Sequence, residues 1–136
     1  MSQTGTAIEQ ATRLYQVWNA EGVDGVARGF WAERIEWKDD PSVPDAGTYR
    51  GREQVRKHIE DRVEVLGHFQ IDPEQVIEAG ENRVLVVYEV RGQGGQSAAP
   101  WTQRMAQVLW FERGRVMEVQ DYLDVDRALQ AVGLRE

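Results

Sequence analysis

Cysteine is absent from this chain, which excludes disulfides, thiolate nucleophiles and cysteine-ligated metals. Histidine is nearly absent: His58 and His68 stand apart, without a carboxylate at ligand spacing, so nothing suggests zinc. No apolar run approaches the ~20 residues that span a bilayer. The opening MSQTGTAIEQ lacks the basic-then-apolar pattern of a signal peptide, so a cytoplasmic location is expected. Positive charge is in deficit, with 16 Lys and Arg against 23 Asp and Glu, a net charge of −7. A field of that sign repels phosphate backbones and anionic lipid, so neither nucleic acid nor a membrane is an expected partner. Internal repeats and low-complexity tracts are also missing. The Gly92–Ser97 stretch GQGGQS lacks a P-loop lysine and no helix follows it, so it is no nucleotide cradle. Gly95-Gln96-Ser97 lies between two strand patterns rather than at a strand-to-helix turn, so it is no nucleophile elbow. No cofactor is implied.

What is present describes one soluble domain over residues 1–136, 41% hydrophobic and 29% charged. Five tryptophans suit the walls of a ligand pocket and equally a subunit interface. Residues 7–20 carry Ile8, Ala11, Tyr15 and Trp18 at helical spacing, with Gly22 as the stop. A second helix follows, with Val23, Val26, Ala27, Phe30 and Trp31 at helical spacing. Arg34–Lys38 is a strand that places Ile35, Trp37 and Asp39 on one face. Asp40-Pro41 then opens a Pro- and Gly-punctuated loop, and Asp40 is expected to turn away. Arg52–Leu66 is a third helix, with a Val55, Ile59, Val63 and Leu66 stripe ended by Gly67. Strand pieces at His68–Ile71 and Gln75–Ala79 are broken by Asp72-Pro73. Arg83–Arg91, Thr102–Phe111 and Arg115–Leu123 are strands, the first two joined by a flexible loop and the last two by a tight turn at Glu112–Gly114. Asp124 caps a final helix. Helices segregated to one side of a mostly antiparallel sheet give an α+β class, with a conical cavity between the layers.

This order, with Tyr15 and Trp18, the WKDDP segment, GTYRGREQV (Gly47–Val55) and YLDVDRALQAVGL (Tyr122–Leu134), resembles the nuclear transport factor 2-like superfamily, and its SnoaL-like branch in particular. The match spans about residues 7–134. The resemblance implies a curved sheet wrapped around N-terminal helices (a cone-shaped, cystatin-like α+β barrel), a pocket for an apolar small molecule, and a homodimer through the outer sheet face. Asp39 looks like the counterpart of the strand aspartate that is the base of ketosteroid isomerases of this fold, and Tyr15 is similar in position to their oxyanion-donating tyrosine. Gln107 falls where that family has its second, acidic donor; an amide donates a hydrogen bond but cannot share a proton. Asp121 is the candidate for the deep acid–base aspartate of SnoaL-like polyketide cyclases.

Each residue also has a plainer reading. Asp39 can simply start a loop, and Asp121 can pair with an arginine such as Arg104, although alternation with Gln103 and Gln107 turns Arg104 outward. Tyr15 can be a core tyrosine with a satisfied hydroxyl. Trp18, Trp37 and Tyr88 read as cavity wall. His58, one position off the helix stripe, is either at the cavity mouth or solvated. Two functions therefore compete. One is a cyclase- or isomerase-like catalyst in which Asp39 or Asp121 removes a proton next to a carbonyl, with Tyr15 and Gln107 bonding the enolate oxygen. The other is a non-catalytic ligand-binding or association module. An epoxide hydrolase, which needs two acids bridged by an inward arginine, is a third.

Overall fold

A computed structural model of the chain describes residues 6–94 and 97–134, with backbone alone at 93, 94, 97 and 98. Helix α1 (Ala7–Glu21) begins at a capping box, in which Thr6 Oγ1 accepts from the Glu9 N–H and Glu9 accepts from the Thr6 N–H. Its buried residues Ala11, Leu14, Tyr15 and Trp18 recur every three or four positions, so they form one inward stripe. Helix α2 (Val23–Phe30) follows directly. Trp31, expected to continue that helix, instead opens strand β1 (Trp31–Lys38). Strand geometry keeps Trp31, Ile35 and Trp37 buried.

The loop after β1 holds a strand that the sequence pattern did not reveal, β2 (Thr48–Arg50), whose Tyr49 pairs with Trp37. Three residues are too few to leave a periodic signal. Helix α3 (Arg52–Leu66) has the bounds read from sequence, with Gly51 and Gly67 both at positive φ at its ends. The two strand pieces expected around Asp72-Pro73 are a single β3 (Gln70–Glu78) with a register shift between Pro73 and Gln75. That shift lets the ladder pass a proline that cannot donate. Strands β4 (Arg83–Gly94) and β5 (Ser97–Glu112) run further into the expected flexible loop than their apolar patterns suggested; Gly95 and Gln96 lie outside the described residues. Arg113 and Gly114, both at positive φ, turn the chain into β6 (Arg115–Tyr122), as a two-residue hairpin requires. Helix α4 (Val125–Ala131) is capped by the Asp124 carboxylate, which accepts from the Asp126 and Arg127 N–H groups.

The six strands form one sheet in the order β2-β1-β6-β5-β4-β3, antiparallel except for the parallel β1–β6 pair. The sheet curls without closing, because β2 and β3 remain edges. Its outer face buries Leu85, Val87, Ala106 and Val108 with Ala128 of α4 in a small second core. Its concave face meets the N-terminal helices in the main core. None of the described helices is long and apolar enough to cross a membrane.

One close approach shapes an end of the concave face. Gly92 pairs with Trp101 across β4 and β5, and a Cβ at Gly92 would lie 2.4 Å from the indole. Trp101 therefore lies over a glycine because no other side chain leaves room. Gly92→Ala should displace the indole at a cost of about 1–3 kcal/mol, read by denaturant titration and a change in tryptophan emission. Unchanged stability and emission would show that the indole does not rest on that backbone.

Candidate functional site

A cavity of about 310 Å³ lies between the concave sheet face and helices α1 and α3. Most of its wall is apolar and aromatic, and its polar groups gather where β1, β5, β6 and α3 converge. The β5–β6 register places Gln107 directly opposite Asp121, and both point inward because Val119, Asp121 and Leu123 share a strand face. Asp121 is 3% exposed. Its Oδ1 accepts from Gln107 Nε2 at 2.8 Å and its Oδ2 from Trp37 Nε1 at 3.1 Å. Tyr15, reaching in from α1, donates its hydroxyl to Gln107 Oε1 at 2.7 Å. An ionised carboxylate only accepts, so the amide must turn its N–H to Asp121 and its oxygen to Tyr15. The result is a chain of donors, Tyr15 to Gln107 to Asp121, each polarising the next.

Asp39 closes the alternation of β1 and sits one step beyond its end, where the chain leaves the sheet. It is buried at the cavity mouth and exchanges two hydrogen bonds with Gly47 across the loop. Its Oδ1 is 2.9 Å from His58 Nε2 and accepts from Arg62 Nη2 at 3.2 Å. The same guanidinium places Nη1 3.6 Å from Asp121 Oδ2. Arg62 thus spans the two aspartates, the outer one at the mouth and the inner one at the floor.

Burial pushes the Asp121 carboxyl above its ordinary range and the Asp39 charge adds to this. Arg62, Gln107 and Trp37 oppose the rise without cancelling it. Burial also raises the Tyr15 hydroxyl, so Tyr15 stays a protonated donor.

All eight residues singled out by sequence are accounted for. Tyr15, Gln107, Trp37 and Asp121 form one hydrogen-bonded group, and Asp39 joins it through Arg62. Trp18 and Tyr88 line the cavity. His58, half-buried, stands beside Asp39 at the cavity mouth but outside the lining: its Nε2 is 2.9 Å from the Asp39 carboxylate and a Tyr49 ring stacks on it at 3.7 Å. Arg104 is not the partner of Asp121. It faces outward and pairs with Glu74 at 2.8 Å.

Two residues depart from expectation. Asp40 does turn from Asp39 but is itself buried, accepting from the Leu123 N–H at 2.7 Å and from both the N–H and hydroxyl of Ser42. Burial would raise its carboxyl, yet these bonds outweigh it and hold Asp40 below its ordinary value. A carboxylate so held adds stability above its unfolded pKa that is lost as pH falls through the folded one. Asp40→Ala should strand the Leu123 N–H and cost about 1–3 kcal/mol at neutral pH, less in acid, measured by denaturant titration at both. An equal loss at both pH values would contradict the assignment. Arg62 was missed altogether. Its signal was available, since it lies seven residues after Val55 and four before Leu66, a lone cation inside an apolar stripe.

The SnoaL-like domain family matches residues 11–119, most of the chain. The chain belongs to that family. No curated protein matches it. Among solved structures, this SnoaL-like domain is similar to a nuclear transport factor 2-like protein of unknown function from Burkholderia pseudomallei, with TM-score 0.75, 19% identity and coverage of 98% of this chain and 99% of that one. TerC, co-crystallised with polyporic acid, gives TM-score 0.74 at 18% identity, over 93% of this chain and 97% of that one. A candidate SnoaL-like polyketide cyclase from Jannaschia sp. CCS1 gives 0.74 at 17%, over 100% and 98%. At such identities the likeness is one of fold.

Proposed function

We propose that this SnoaL-like domain is a proton-transfer catalyst acting next to a carbonyl of an apolar small molecule, with Asp121 as the base. The observation that carries the reading is the buried Asp121 carboxylate in a mostly apolar cavity, held by two fixed donors with a guanidinium beside it. A base is most effective when its pKa approaches the working pH, and desolvation moves Asp121 that way. Gln107 and Trp37 occupy two of the roughly four lone-pair sites of the carboxylate, which leaves sites for a substrate proton. In the reaction the α-proton moves to Asp121, negative charge develops on the carbonyl oxygen, and the Arg62 cation beside it lowers the energy of that charge. Tyr15 donates to Gln107 and Gln107 to Asp121, so they tune the base rather than bind the oxygen. Asp39 neutralises the outer side of Arg62 and holds it in place. Similar structures with small molecules support a ligand role for the cavity: TerC with polyporic acid, and a ketosteroid isomerase-like protein from Catenulispora acidiphila with trimethylamine.

The test is solvent exchange. Apolar aryl ketones incubated with the protein in D₂O should gain α-deuterium, followed by NMR, faster than in buffer. Ligands that bind but exchange no faster than in buffer would leave a non-catalytic binding module.

The Arg62 bridge favours a second reading, opening of an epoxide by water, because two acids joined by one arginine can activate the water and protonate the leaving oxygen. Formation of a diol from an apolar epoxide, without α-exchange of any ketone, would select it.

A further inference from the structure

The hydroxyl of Tyr88 takes no part in the hydrogen-bond network among the described residues. Tyr88 is an inward residue of β4, two positions along from Val86, which lies opposite Gln107, and its ring centroid is 5.9 Å from that of Tyr15. It is 3% exposed and lines the cavity. Among the described residues no protein group bonds its hydroxyl, and the oxygen is not sealed in the core as an orphan, so it opens on the cavity. Buried tyrosine hydroxyls are normally partnered, because an unmet one costs free energy. The contrast with Tyr15, equally buried but bonded to Gln107 at 2.7 Å, is direct.

We infer that Tyr88 is the neutral hydrogen-bond donor to the ligand oxygen in this cavity, so the site takes molecules presenting a carbonyl or enol oxygen at mid-cavity with apolar surface around it. The chemistry fits the position. Burial raises the phenol far above its ordinary pKa, as do the nearby Asp121 and Tyr15, while Arg62 pulls the other way; the group remains a donor at any working pH. A donor placed beside Asp121 and Arg62 would act on the atom where negative charge develops when Asp121 takes the α-proton. The assignment rests on the proton-transfer reading for its catalytic consequence but not for its binding one.

The test uses 2-acetylnaphthalene as the probe, bound to the intact protein, with the infrared carbonyl stretch and Kd as readouts. In the wild type the stretch should shift to lower frequency than in hexane. In Tyr88→Phe that shift should shrink to the part that Arg62 contributes, and Kd should rise about two- to tenfold, the weight of one hydrogen bond. Tyr15→Phe should retain the shift. Melting temperature separates the two hydroxyls independently of any ligand: Tyr88→Phe should leave it unchanged or raised, since the ring keeps its packing, whereas Tyr15→Phe strands the Gln107 oxygen and lowers it. A carbonyl shift as large in Tyr88→Phe as in the wild type, or a melting temperature that falls as far as in Tyr15→Phe, would overturn the assignment. Deuterium exchange reports separately on Asp121, so loss of the proton-transfer reading would leave the carbonyl shift standing.

Discussion

Asp121→Asn should lower the rate of α-proton exchange by about 10²–10⁴, the usual contribution of a positioned base, while circular dichroism remains that of the wild type. Asparagine keeps the volume and can still accept from Gln107, but it cannot take a proton. The same variant reports on stability. The Asp121 carboxyl titrates above its ordinary 3.8 in the fold. A group raised on folding gives stability that is complete below its unfolded pKa and is lost as pH rises through the folded one. Wild-type stability should therefore carry a component that declines with rising pH above about 4, and Asp121→Asn should remove that component. Exchange that continues at the wild-type rate would remove Asp121 from the chemistry.

Arg62→Met should have the largest structural effect of any single change at the site. It leaves Asp39 and Asp121 buried near one another without their shared cation, and breaking such an arrangement from one side costs about 3 kcal/mol. With Arg62 gone, the first influence opposing the rise of the Asp121 carboxyl is also gone, so that carboxyl moves further up. The loss of stability should be greatest at neutral pH and should shrink in acid, where protonation discharges the aspartates. Denaturant titrations of both proteins at neutral and acid pH measure it. A loss that is the same at both would mean that Arg62 contributes packing rather than charge.

The alternation of Ile35, Trp37 and Asp39, and of Val119, Asp121 and Leu123, was legible in the sequence and was enough to turn both aspartates inward, because side-chain direction in a strand follows from parity alone. The bounds of α3 were legible from the glycines at its ends. What parity does not give is register. That Gln107 stands opposite Asp121, and that Trp37 reaches it from the neighbouring β1, depends on how three strands separated in sequence align. Arg62 went unseen because α3 was read by its apolar residues, and a charge within the stripe was counted with the solvated face. Asp40 was read from Pro41 beside it, whereas its carboxylate is drawn in by an N–H of Leu123, distant in the chain. The unmet hydroxyl of Tyr88 has no sequence signature, since it is defined by what does not reach it.

The central claim is that Asp121 is a buried base held ready by its neighbours, and its own titration tests this most directly. Carboxyl ¹³C shifts of the wild type, assigned through Asp121→Asn and followed over pH, give the midpoint. A midpoint clearly above 3.8 in the wild type, and higher still in Arg62→Met, is the predicted result. A midpoint at or below 3.8 would mean an ordinary ion-paired carboxylate, and the account of a poised base would be contradicted.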